Sequence, residues 1–169
     1  MAEDKVAEGE VLYRGIRYMP DAQEGTRHYA VRSDGTVEIS SEAFSDRDKE
    51  PSVDRAKIHK NDATRTQVEE TDAVLKLIAR DVRIIPVTKE KSPETYIVDV
   101  VPDPIVNHPT YPDNLAHAKI RTMPRCGSAI FRKFKISLAQ LAESYADKWA
   151  ILPVELRPES GRPDSVFEE

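Results

Sequence analysis

The apolar segments of this chain are short and closely punctuated, which limits what it can fold into: twelve prolines and six glycines are spread between them, with no internal repeat or low-complexity block. Each element can bury only a few side chains, so a core has to be assembled from many short strands and a few helices. The 169 residues, 39% hydrophobic and 33% charged, provide for one core with a well-solvated surface rather than for two. Residues 1–9 are polar and acidic, and 155–169 carry Pro158, Gly161, Pro163 and several charges. Both ends are expected to be loosely held, leaving 10–154 as a single globular domain.

Within that domain, residues 11–16 and 36–40 read as strands, the second following a Ser33-Asp34-Gly35 turn. Val68, Thr71, Leu75 and Ile78 fall on one helical face, and Thr64 with Gln67 has capping-box spacing, so the pattern predicts a helix over 64–80. Residues 82–87 and 96–101 are short and rich in β-branched side chains, as expected of buried strands at the sheet's interior. A strand over 129–135 is expected next, then a helix opened by Ser137 with Gln140, then a closing strand over 149–152 stopped by Pro153. Helices do not alternate regularly with strands, so the expected class is α+β: a mixed or mainly antiparallel sheet with two principal helices packed on it.

Composition narrows the functions. No apolar run approaches the roughly 20 residues of a membrane-spanning helix, and the Met1-Ala2-Glu3-Asp4-Lys5 start lacks the basic and apolar stretches of a secretory signal. The expected compartment is the cytoplasm, with no membrane partner. Cys126 is the single cysteine, so an intrachain disulfide and a cysteine-built zinc site are excluded. The formal charge of −5 argues against a surface devoted to nucleic-acid phosphates. A local basic face from Arg121 through Arg125, Arg132 and Lys133 to Lys135 keeps a nucleic-acid-binding module as a third reading.

Two groups of residues have the chemistry of a site. If the first two strands pair, Arg14 and Arg17 approach Ser40 and Ser41, offering fixed cations and hydroxyls to a phosphate or carboxylate. The plainer reading is that Arg14 bridges carboxylates and the serines cap a short helix containing Ala43 and Phe44. The second group is the proline-held loop with Asn107, His108, Tyr111 and Asp113, continuing to His117 and Lys119. Its two imidazoles are suited to acid and base roles near neutral pH, with Arg14 or Lys119 steadying phosphorane charge; alternatively His108 is exposed beside Pro109 and His117 packs at an edge. A metal held by His108, Asp113 and His117 is not expected, because the spacing matches neither a helical pair nor a finger.

Leu12-Tyr13-Arg14-Gly15 resembles the first strand motif of ADP-ribosyltransferases, and Ile39-Ser40-Ser41 a fragment of their serine-bearing second strand. That resemblance implies NAD as a cofactor-like substrate supported by Arg14; Glu94-Thr95-Tyr96 departs from the paired-glutamate third motif of the arginine-specific enzymes. More broadly, Arg14 and Arg17, Ser40-Ser41-Glu42-Ala43-Phe44, Ser52-Val53-Asp54, Asn107-His108-Pro109 and Ala116-His117-Ala118 resemble, in the same order, a group of small uncharacterised bacterial proteins. This resemblance implies one domain and carries no activity. The leading expectation is a cytoplasmic interaction or accessory module with a protein partner and no cofactor, in a bacterial stress or defence setting. The alternative is a nucleotide- or RNA-directed enzyme, ADP-ribosyltransferase-like or a metal-independent ribonuclease, using Arg14, Ser40, Ser41 and His117 in a pocket shared with Arg17, Asn107, His108, Asp113 and Lys119.

Overall fold

The computed structural model describes residues 4–89 and 95–163. The short β-branched runs pair as β1 (Val11–Ile16), β2 (Tyr29–Val31), β3 (Val37–Ile39), β4 (Ser52–Arg55), β5 (Ala73–Ile78), β6 (Val87–Thr88), β7 (Thr95–Pro102), β8 (His117–Met123) and β9 (Trp149–Ile151). Seven of them form one sheet in the order β6-β7-β8-β4-β1-β5-β9, while β2 and β3 make a separate hairpin. Every pairing is antiparallel. Two helices, α1 (Ala79–Arg83) and α2 (Ser128–Ser144), pack on this sheet, which makes the fold α+β.

Cross-strand partners share a face of a sheet, so the register assigns each side chain to a layer. Leu12 and Ile16 of β1, Leu75 and Leu77 of β5, Val98 and Val100 of β7, and Ala118 and Ile120 of β8 turn toward α2 and form the main core with Phe131, Phe134, Leu138 and Ala142. Tyr13 and Val74 turn the other way and make a smaller cluster with Ala56. Among the described residues no helix is long and apolar enough to cross a membrane.

The strands expected over 11–16, 36–40, 96–101 and 149–152 coincide with β1, β3, β7 and β9. The helix expected over 64–80 is not formed. Residues 73–78 are β5, paired with β1 along its length and buried between β1 and β9, and Val68, counted on the supposed helical face, is 71% exposed. Local hydrogen bonding turns the chain before it: the Asp62 carboxylate accepts from Thr64 N–H, and the Asp72 carboxylate accepts from the N–H groups of Val68 and Glu69.

The strand expected over 129–135 is the first half of α2. Phe131, Phe134, Leu138 and Ala142 reach the core together only at helical spacing, and Ser137 bonds back to the Lys133 carbonyl inside the helix instead of capping one. Residues 82–87, expected as a strand, contain the end of α1 and only the first residue of β6. At the ends, where loose chain is expected, Val6 is buried in the core and Arg157 donates to the carbonyls of Glu70 and Asp72. Residues 1–3, Glu94 and 164–169 lie outside the described residues.

Leu138 is fully buried between α2 and the sheet. Leu138→Ala is expected to remove about 2–5 kcal/mol of stability, seen as a lower urea midpoint at unchanged slope. Leu152→Ala, at a 40% exposed position, is expected to change stability by less than about 0.5 kcal/mol; equal losses would contradict this layer assignment.

Candidate functional site: a cleft beside the hairpin

Arg14 lies between Leu12 and Ile16 on the helix-facing side of β1. Its Nε donates to the Ala43 carbonyl at 2.9 Å, Nη1 to Ser52 at 2.7 Å and Nη2 to Ser45 at 3.4 Å. The guanidinium stands 5.7 Å from the centroid of the Phe44 ring, with Asp46 at 4.0 Å. Burial pulls its pKa below the ordinary arginine value, and Asp46 and Asp54 oppose that shift. Ser40 Oγ accepts from Glu42 N–H and caps the 3-10 turn Ser41–Phe44, as the plainer reading of these serines expects. Arg14 is therefore a clamp that ties this turn and the start of β4 to the middle of the sheet.

His117 and Lys119 stand on the opposite face. His117 pairs with Asp54 and Asp54 with Tyr13, while Lys119 pairs with Ser52, so both point away from the layer that holds Arg14. His117 Nδ1 lies 2.7 Å from the Asp103 carbonyl, and Lys119 binds Asp48, which raises the lysine's pKa. The loop residues serve their own loop: Asp113 accepts from Asn107 N–H, and His108 Nδ1 accepts from the N–H groups of Thr110 and Tyr111. The sheet thus separates the Arg14 and Ser40 group from His117.

The basic stretch is also divided. Lys119, Arg121 and Arg125 converge on Glu50, whereas Lys135, on α2, turns to Ser45 and Glu42. Among the described residues no group of three His, Cys, Asp or Glu side chains is placed to hold a metal ion. The NAD-supporting role implied for Arg14 does not fit this geometry, because its Nε and both terminal nitrogens are directed at backbone carbonyls.

Two of the buried polar residues, Asp54 and Arg55, had no structural role assigned from the sequence. Asp54 accepts from Thr66 Oγ1 at 2.8 Å and Asn114 Nδ2 at 2.9 Å, with His59 Nε2 at 3.0 Å. Arg55 makes a two-bond pair with Glu10, at 2.9 and 2.8 Å. The available signal was a consecutive Asp-Arg pair following Val53 in a strand, where charge persists only if it is paired. Both groups are satisfied by protein and fasten loops.

What remains open is a cleft of about 930 Å³ beside the hairpin, lined by Ile136, Gln140 and Glu143 of α2, by Arg32 and Glu38 of the hairpin, by Ser40 and Ser41, and by Arg17, Tyr18 and Arg27. Most of its charges are already engaged. Arg27 donates to the carbonyls of Pro20 and Ala22, Arg32 lies beside Glu38 and Glu143, and Tyr29 donates to Glu155, with burial and that bond raising the tyrosine's pKa. Arg17 differs, as does the Glu24 carboxylate: Arg17 is exposed, and its side chain makes no ion pair or hydrogen bond among the described residues. Its backbone N–H donates to His28 Nδ1 at 3.0 Å. Burial, then Arg14 and Arg17, depress the His28 pKa to about 4, so the ring is neutral and free to accept that bond. No family model, curated protein or solved structure matches the chain.

The His28 shift has a defined sign. An unfolded imidazole takes its proton near 6.5 and the folded one near 4, so the stabilising contribution is complete above 6.5 and is lost as pH falls toward 4. His28→Gln is expected to flatten the fall in urea-unfolding free energy across that window relative to the wild type. Parallel falls in both proteins would contradict the assignment.

Proposed function

We propose that the protein is a non-catalytic interaction module that receives a protein partner in the cleft beside β2 and β3. One observation carries this reading: the groups an enzyme would use are turned to structural partners on two faces of the sheet, while the cleft presents Arg17, whose side chain has no partner among the described residues, beside the exposed Ile136. Arg14 is spent on carbonyls and His117 on the Asp103 loop. Ile136, 45% exposed, stands among Met19, Ala139 and side chains of both charge signs. A mixed polar and apolar lining with an exposed aliphatic side chain suits a protein surface, since non-obligate interfaces are only about as apolar as the rest of a protein's surface. A cytoplasmic accessory role in a bacterial stress or defence setting is compatible with this reading.

A photoactive benzoylphenylalanine placed at position 136 tests the cleft in cells that make the protein, with position 84, 71% exposed at the end of α1, as the control. The expected result is a discrete protein adduct from position 136 that falls about tenfold or more with Arg17→Glu, since charge reversal at an interface costs both attraction and encounter rate. Adducts from position 84 alone, or turnover of NAD or RNA by the purified protein, would overturn the proposal.

A further inference from the structure

The hairpin's two edges are not equivalent. Ser40 N–H donates to the His28 carbonyl and Arg32 N–H to the Thr36 carbonyl, so the even-numbered residues of both strands bond inward across the hairpin. Tyr29 and Val31 on β2, and Val37 and Ile39 on β3, therefore direct their backbone groups outward. On the β3 edge, Glu143 of α2 covers Ile39 by accepting its N–H at 2.8 Å. On the β2 edge, the outward N–H and C=O groups of Tyr29 and Val31 have no partner among the described residues. Tyr29, Ala30 and Val31 all line the cleft, although their side chains alternate in direction, so the strand's backbone is presented to it.

We infer that β2 is a docking edge to which a partner protein adds an extended strand, with a carboxylate of that strand meeting Arg17. This deepens the cleft proposal and rests on it. An edge with unpaired backbone groups favours strand addition, where main-chain hydrogen bonds supply affinity and side-chain contacts supply selectivity. The partner's carboxylate is placed by Arg17, the lining cation nearest the start of β2 whose side chain has no partner among the described residues. Arg27 and Arg32 are engaged within the protein, and the bond from Arg17 N–H to His28 holds the free Arg17 side chain beside the residue that leads into β2.

Random twelve-residue peptides displayed on phage and selected against the full chain test this inference. Recovered binders are expected to be runs of β-forming residues containing Asp or Glu, and to lose about tenfold or more in affinity with Val31→Pro or Arg17→Glu. Proline at 31 removes an outward N–H and leaves the ladder to β3 in place. If that variant fails to fold, the same peptides with N-methyl groups at alternate residues are measured on the wild type, where only one of the two phases should bind. Binders that shift the amide resonances of the cleft yet hold Val31→Pro undiminished, or accept both N-methyl phases, overturn strand addition and leave the cleft proposal standing. Binders that map away from the cleft, or a library yielding none, overturn both. Concentration-dependent protection of the Tyr29 and Val31 amides without peptide would assign the edge to a second copy and overturn the partner strand.

Discussion

The Arg14 guanidinium ties together parts of the chain that lie far apart in sequence. It reaches from the centre of β1 to the carbonyls of Ala43, Ser45 and Ser52, fixing the turn that carries Phe44 into the core and the point where β4 begins. Without a cation there, three carbonyls would lose a donor, each at a cost of about 1–3 kcal/mol where it is buried. Asp54 and Arg55 do comparable work on neighbouring β4, the first fastening the segments around Thr66 and Asn114 and the second binding Glu10 ahead of β1. A chain with 39% hydrophobic residues and many short elements relies on such paired polar groups to specify how its loops attach.

This economy separates structure from recognition. Charges near the sheet's centre, Arg14, Asp54 and Arg55, are committed to partners within the protein, and the sheet itself stands between Arg14 and His117. The surface proposed to meet another molecule is the cleft where α2, the hairpin and the segment after β1 come together. The small hairpin is what gives the cleft directional chemistry, because α2 covers one of its edges through Glu143 and the other has no backbone partner among the described residues. A groove that offers both main-chain groups and a free cation suits a polypeptide better than a nucleotide.

Several features were legible before any coordinates. Short strands set off by turns and prolines were readable, as β1, β3, β7 and β9 show, and so were the α+β class and the capping role of Ser40. Helix and strand were exchanged where tertiary pairing overrides local periodicity. Ala73–Ile78 is apolar on both faces because it lies between β1 and β9, and a helical template fits such a run equally well. In 129–135, Arg132, Lys133 and Lys135 alternate loosely with apolar residues, which hid a helical stripe that becomes clear only when it is followed to Ala142. Arg17 was marked as a binding residue on an expected pairing of residues 11–16 with 36–40 that does not form, since β1 pairs β4 and β5 while β3 pairs β2. The free edge of β2 was invisible, because whether a backbone group is paired depends on what folds beside it and not on its own side chain.

The most direct measurement is the Nε–H resonance of Arg14 in a nitrogen-edited NMR spectrum of the native protein, followed for solvent exchange and for its response to NAD. The clamp described here predicts slow exchange, because that hydrogen is held on the Ala43 carbonyl at 2.9 Å, and no shift when NAD is added. Fast exchange, or a shift that saturates with NAD, would show an arginine available to a ligand and would contradict the account.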